Sequence, residues 1–333
     1  MKNRWGCIGI VLLVLLCLSG LLNILLMLGI ANKSTEDMEL PKFSEQLLQP
    51  GSGTKPDKIA VINLRGVISS SIKGTEGPTM VDDIKIGLQQ ALDDSRVKAI
   101  VLNVDSPGGE VTASDVIYNA VRKARAKKPV VIYMGSLAAS GGYYVSCGGS
   151  YLMASDTSLT GSIGVIIETV NYSQLMGKIG LAPEVFKSGK FKDMLNGARD
   201  MTQEEKDYVQ NMVMETYGKF VQVVADERKL PVDQLRNGIA DGRVISGKDA
   251  LDDKLIDGLG EIEDAINKAR DLGNAPGAEA VLYQPSFAFG KLFNMLGQTS
   301  QSSAESKIEV NLTQKLFPLE PGRAYMLPDF YAQ

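Results

Sequence analysis

Apolar positions along the chain fall into three regimes: a long uncharged run at the N-terminus, short β-branched runs punctuated by glycine, and later stripes at helical spacing. From Trp5 to Asn32, 28 residues carry no charge and are dominated by Leu, Ile, Val and Met. At about 1.5 Å rise per residue such a run spans a hydrocarbon core of roughly 30 Å. A transmembrane anchor over 5–31 is therefore expected. The rival is a cleaved signal peptide, since Gly29-Ile30-Ala31 offers small residues at a cleavage spacing. The run is longer than the ~7–15 residues usual there, which favours the anchor. Lys2 and Arg4 precede the span and Lys33 follows it. That bias is weak, but it places residues 1–4 in the cytoplasm and the bulk of the chain outside it.

Residues 32–57 are polar, contain Pro41, Pro50, Gly51 and Gly53, and read as a linker. A compact domain over 58–285 follows. Ile59 to Ile68 reads as a strand, and Ile84, Leu88, Ala91 and Leu92 share one face of a short helix. Val97 to Val104 is an apolar run ending in Asp105-Ser-Pro-Gly-Gly109, the mark of a buried parallel strand entering a tight loop. The spacing predicts a helix over Val111 to Lys127 and another buried strand over Pro129 to Met134, together a right-handed βαβ unit. Beyond a short glycine-rich helix come a strand near Tyr151 to Ala154 and turn-rich residues 157–164. Thr202 and Glu205 have capping-box spacing and open a long helix striped by Val209, Met212, Val213, Tyr217, Phe220, Val221 and Val224. That stripe reads as core or subunit packing. Helices around Val232 to Arg236, Lys248 to Asp252 and Glu261 to Arg270, and a strand near Ala280 to Tyr283, complete the domain. Residues 286–333 divide into a polar low-complexity linker and an apolar, proline-interrupted tail.

Composition narrows the chemistry. There is no histidine, so zinc ligation by a His/Cys cluster and a Ser-His-Asp triad are both excluded. Cys7 and Cys17 lie in the apolar run and leave Cys147 without a partner, so no disulfide framework is expected. A net charge of -4 argues against nucleic acid. No cofactor and no metal are expected.

One serine stands out within Gly135-Ser-Leu-Ala-Ala-Ser-Gly-Gly-Tyr-Tyr144, between small residues at a strand-to-helix junction that the buried strand is expected to reach through a tight Gly135-Ser-Leu turn. If Ser140 is a nucleophile, a lysine of lowered pKa is its most plausible base. Its place at a helix N-terminus favours developing negative charge. Gly141 offers one oxyanion N–H, and Gly109, in the unobstructed loop after the preceding strand, offers a second. Lys187, Lys190 and Lys192 all remain candidates for the base on the residues alone. Tyr143, Tyr144 and Cys147 read as packing, and Asp105 as the cap of a turn.

These blocks, with Thr160-Gly-Ser-Ile-Gly-Val165, Lys187-Ser-Gly-Lys-Phe-Lys-Asp193 and Ala240-Asp-Gly-Arg-Val244, resemble in order the short bacterial form of signal peptide peptidase A. The resemblance covers roughly residues 57 to 270. It implies an α/β fold of crotonase/Clp-protease-like ββα units behind the N-terminal transmembrane helix. It also implies a membrane Ser/Lys-dyad endopeptidase that degrades residual signal peptides after secretion. By motif register the nucleophile falls on Ser140, the general base on Lys192, and the serine that orients the lysine amine on Ser162. A ring-shaped homo-oligomer enclosing a chamber follows from the same resemblance. The partners implied are peptide substrates and the lipid bilayer, with the catalytic domain outside the cytoplasm.

Three other readings stay in view. They are a related membrane Ser/Lys protease cutting one membrane-protein partner, as the stomatin-associated peptidases do; crotonase-like acyl-CoA chemistry; and a catalytically silent scaffold. The segment Leu316 to Gln333, with Pro318, Pro321 and Pro328 among aromatic residues, cannot form a regular helix. It is expected either to lie extended along a groove of its own or a neighbouring subunit, imitating substrate and damping activity, or to strap ordinary domain surface.

Overall fold

The computed structural model describes residues 13, 15–16, 18–23, 43–70, 79–285, 324–326 and 328. The chain divides into two compact units, Met1–Lys42 and Phe43–Gln333. In the first, the described residues between 13 and 23 are helical and exposed. Among the described residues no helix is long and apolar enough to cross a membrane. Most of the expected 5–31 anchor, and most of the linker and tail expected over 286–333, lie outside them.

The second unit is a mixed α/β fold built on a parallel-rich sheet. Its strands are β1 (Phe43–Gln49), β2 (Lys58–Arg65), β3 (Val97–Ser106), β4 (Gly109–Glu110), β5 (Val130–Ala139), β6 (Tyr151–Ala154), β7 (Leu159–Gly161), β8 (Ile166–Ile167), β9 (Val244–Ser246), β10 (Gly258–Leu259), β11 (Glu279–Pro285) and β12 (Ala324–Met326). The large sheet has the order β1-β11-β2-β3-β5-β6-β10, with β7 and β9 branching from β5. The small sheet has the order β4-β12-β8. The helices are α1 (Met80–Asp93), α2 (Val111–Arg125), α3 (Gly141–Ser146), α4 (Ser173–Lys178), α5 (Gln203–Arg228), α6 (Val232–Arg236), α7 (Gly247–Asp252) and α8 (Ile262–Leu272).

Alternation along the central strands builds two cores. Ala60, Ile62 and Leu64 of β2, Ile100, Leu102 and Val104 of β3, and Val130, Ile132 and Met134 of β5 face one side, where α1, α2 and α3 cover them. Ile59, Val61, Ala99, Val101, Val131 and Tyr133 face the other, against Ala265, Ile266 and Ala269 of α8. Strands buried on both faces explain the nearly unbroken apolar runs. Each fully buried Ile or Leu contributes about 1.5–3 kcal/mol, enough to fix the strand ends from which the site is built.

Two expectations need correction, and a third is met within this chain only in part. Residues 43–49 lie within the expected linker but form the edge strand β1, antiparallel to β11 from Phe43↔Pro285 onward. Apart from Phe43 the strand is mostly exposed, so no apolar alternation marked it. Nor is Gly135-Ser-Leu a turn. β5 runs on to Ala139 and changes neighbour there, with Val131 to Met134 paired to β6 and Leu137 to Ala139 to β7. Finally, α5 begins at the expected capping box, but only its second half is sheathed. Phe220, Val221 and Val224 are buried, whereas Tyr208 and Met212 are 50% and 42% exposed.

Candidate active site

Ser140 stands where β5 ends and α3 begins, at φ 53° and ψ -115°, a conformation that a residue with a side chain adopts only under constraint. Two main-chain bonds supply that constraint. The Ser140 N–H donates to the Gly161 carbonyl (2.8 Å), and the Ser140 carbonyl accepts from the Tyr144 N–H (2.8 Å). Tyr143 and Tyr144 are fully buried beneath the turn; Tyr143 Oη donates to the Leu255 carbonyl and Tyr144 Oη to Asp115. Both tyrosines are packing residues, as expected. The Ser140 Oγ is buried and has no hydrogen-bond partner in the described chain. A solvent-excluded hydroxyl without a partner costs about 1–3 kcal/mol, and such an atom calls for an explanation.

The oxyanion candidates converge on Gly108, which sits at φ 102°. A methyl group placed there would come within 2.0 Å of the Met326 carbonyl oxygen and 2.5 Å of the Gly141 nitrogen. A methyl placed on Gly141 would lie 3.1 Å from the Gly109 nitrogen. Thus the amides of Gly109 and Gly141 lie close together beside a space too small for a side chain. Ser106 organises the turn: its Oγ donates to the Gly66 carbonyl (2.7 Å) and accepts from the Gly108 N–H (3.1 Å). Behind Gly109, the Glu110 N–H donates to the Ile68 carbonyl (2.8 Å) and the Ile68 N–H to the Gly108 carbonyl (2.7 Å). The buried Glu110 carboxylate accepts from Ser69 Oγ (3.2 Å) and the Ser70 N–H (3.1 Å), tying this loop down.

The occupant of that space is the chain's own tail. β12 pairs antiparallel with β4, Tyr325 opposite Glu110 and Met326 opposite Gly109, and antiparallel with β8, Ala324 opposite Ile167 and Tyr325 opposite Ile166. The described part of the tail is thus paired into a sheet beside the Ser140 turn, as neither a helix nor a loose strap. It lies as an extended peptide with both edges paired, its Met326 carbonyl at the Gly108 turn.

Ser162 lies one residue beyond Gly161, buried and at φ 51°, its N–H bonded to the Arg243 carbonyl (2.8 Å). The β5–β7 pairing therefore brings Ser162 alongside Ser140. Lys192 is different. It lies on an exposed turn, and its amine forms no hydrogen bond or ion pair among the described residues. The structure does not join Lys192 to Ser140 within one chain. It does separate the three lysines: Lys187 Nζ pairs with Asp193 (2.7 Å) and Lys190 Nζ with Glu204 (2.5 Å). Cys147 ends α3, and burial pushes its thiol up to about 12, which leaves it inert as a nucleophile. Sequence reasoning missed Gly108, Ser106 and Glu110 as parts of the site, although the first two stood within the quoted glycine block.

The architecture and the serine turn define a Clp-protease-like α/β protein. Comparison with known proteins agrees: the Clp protease family model matches residues 79–159 and that of Peptidase family S49 matches residues 122–275. A putative protease of Methanocaldococcus jannaschii is 44% identical over 190 residues, 57% of this chain and 61% of that relative. A putative protease of Synechocystis sp. is 35% identical over 226 residues, 68% of this chain and 78% of the relative. A putative signal peptide peptidase SppA of Enterococcus faecium is 33% identical over 249 residues, 73% of this chain and 71% of the relative. The match thus spans less than two thirds of the first relative's length and more than two thirds of the other two. The chain belongs to peptidase family S49, among the serine peptidases of the signal peptide peptidase A type.

Proposed function

We propose that this protein is a membrane-anchored endopeptidase that hydrolyses short apolar peptides, residual signal peptides among them, on the extracytoplasmic side. Ser140 attacks the scissile carbonyl, and the Gly109 and Gly141 amides receive its oxygen. Lys192 from a neighbouring copy of the chain takes the serine proton, its amine oriented by Ser162. The observation that carries this reading is the strand Ala324–Met326 held between β4 and β8, with a carbonyl oxygen at the oxyanion turn. A peptide substrate seated in the same register presents its carbonyl to the same two amides. On this reading the tail is a tethered competitor that must leave before substrate enters.

Donation of the base across copies rests on two observations. The Ser140 hydroxyl is buried without a partner, while Lys192 is exposed and uncommitted. Exposed apolar residues surround the lysine-bearing segment: Leu175, Ile179 and Leu181 at 55–63% and Phe186 at 94%, with the uncovered half of α5 nearby in sequence. Such a surface suits burial against another copy in a closed ring. The N-terminal apolar run supports the anchor by its length and lack of charge.

The test mixes two inactive full-length variants, Ser140→Ala and Lys192→Ala, dissociated and reassembled together. If each site takes its serine and its lysine from different copies, random mixing restores about a quarter of the wild-type rate. Folded mixtures that stay inactive refute donation across copies. A Lys192→Ala protein that keeps wild-type activity refutes the base assignment itself.

A further inference from the structure

The turn that carries Lys192 is fastened to α5 through Lys190, Phe191 and, by way of Arg199, Asp193, whereas the Lys192 amine takes no part. Lys190 pairs with Glu204 (2.5 Å), and the Phe191 ring stacks on Tyr208 with centroids 5.4 Å apart. On the other side, Asp193 accepts a fork from Arg199, Nε to Oδ2 at 2.8 Å and Nη2 to Oδ1 at 2.7 Å, together with Lys187 Nζ at 2.7 Å. The same guanidinium reaches Glu205, Nη1 to Oε2 at 2.9 Å and Nη2 to Oε1 at 2.5 Å. Glu205 is also the capping-box residue of α5, accepting the Thr202 N–H at 2.9 Å. Arg199 therefore grips two carboxylates at once, one beside Lys192 and one in the first turn of the helix. Backbone bonds from Lys192 N to Gly189 O, Met194 N to Phe191 O and Asn196 N to Asp193 O (3.1 Å each) wind the turn tightly between these anchors.

We infer that Arg199 is a positioning residue for the Lys192 amine. Its planar fork holds the turn against α5 so that one lysine alone projects from it. Together with Lys187 it also saturates the adjacent Asp193, so that this carboxylate is not left to draw the Lys192 amine out of reach of a serine. Lysine cannot replace it, because a single ammonium does not bridge two carboxylates in one plane. The inference rests on Lys192 being the base, and the experiment keeps the two apart.

Full-length Arg199→Met, Lys192→Ala and the double variant are assayed on one fluorogenic peptide, alongside wild type. A base displaced by about an ångström costs on the order of 10–100-fold in rate. Arg199→Met is therefore expected to lower kcat by that factor with KM within twofold of wild type, since β4, β8 and the Gly108 turn lie on other elements. In the Lys192→Ala background the same substitution is expected to change the residual rate less than twofold. Arg199→Lys is expected to fall well short of rescue. Wild-type kcat in Arg199→Met, with Lys192→Ala inactive, overturns the inference. So does an equal further loss in the Lys192→Ala background, or a rise in KM matching the loss of rate, since either marks general damage. Should Arg199→Met not fold, Glu205→Gln removes one arm of the bridge and carries the same expectations. An active Lys192→Ala protein overturns the base assignment instead, and the inference with it.

Discussion

Gly108→Ala separates the oxyanion turn from the rest of the fold. The added methyl meets the Met326 carbonyl oxygen at 2.0 Å, the Gly141 nitrogen at 2.5 Å and the Ala139 carbonyl oxygen at 3.1 Å, and the residue must keep φ 102°. Of these atoms, two belong to the main chain around Ser140 and cannot yield, whereas the tail strand can leave. Backbone strain of this kind costs about 1–3 kcal/mol, which for a domain of this size lowers Tm by roughly 2–12 °C. The catalytic cost is larger. The methyl fills the space where a substrate oxygen must sit, and loss of a single oxyanion donor already lowers kcat about 10²–10³-fold. Peptide hydrolysis is therefore expected to fall at least a hundredfold while the protein stays folded, with limited proteolysis showing the residues around Met326 newly accessible. A folded Gly108→Ala protein within tenfold of the wild-type rate would refute the placement of the oxyanion site between Gly109 and Gly141.

Other perturbations follow from the same geometry. Ser140→Ala is expected to abolish hydrolysis yet leave Tm unchanged or raised, because it removes a buried hydroxyl without a partner worth about 1–3 kcal/mol; a clear drop in thermal unfolding temperature contradicts this. Ser106→Ala removes the acceptor of the Gly108 N–H and is expected to lower kcat about tenfold with KM little changed, a pattern that steady-state kinetics reads directly. Termination after Gly322 removes β12 and is expected to lower the apparent KM for peptides several-fold at constant kcat, in line with relief of a tethered competitor; identical kinetics exclude that role. The Arg199 fork, followed by the Thr202 cap, holds the Glu205 carboxyl well below its usual 4.5, at about 2. A carboxylate whose pKa is lowered by folding stabilises at pH above its unfolded value and loses that contribution as pH falls through the folded one. Hydrogen-exchange protection factors at 189–205, corrected for the intrinsic rate at each pH, are therefore expected to be high at pH 5 and to fall toward pH 2, and uniform protection across that window refutes it.

What was legible in the sequence and what was not divides along a physical line. β3 and β5 are buried on both faces, so their apolar runs needed no partner to be read. Thr202 and Glu205 announce α5 because capping is local, spanning one helical turn. Ser140, Gly141, Gly109 and Ser162 lie in short glycine-rich blocks, and the structure gathers all four around one turn. By contrast β1 takes its identity from pairing with β11, over 200 residues later, and its exposed polar face looks like a linker. The change of neighbour at Gly135 is invisible in a run that stays apolar. Arg199 was missed for a similar reason: a basic residue on a loop reads as solvated until Asp193 and Glu205 are seen on either side of it.

Selection in such a site comes from the backbone before it comes from side chains. A peptide between β4 and β8 must offer free N–H and C=O groups on both edges over consecutive residues, as Ala324 to Met326 do. A strand inside a folded protein has its edges already paired, and a helix has its N–H groups bonded within the chain. An apolar peptide drawn from a bilayer as a helix must therefore unwind before its carbonyl can reach Gly141, and only a short free segment does so at little cost. The turn at Ser140 meets the same demand from the other side: the orphaned hydroxyl and the close-packed turn at Gly108, against which the Met326 carbonyl rests, are held by strain that the buried strands support. If, as proposed, Lys192 is supplied from another copy, an isolated chain presents that groove without a base, and cleavage begins only where copies have already met.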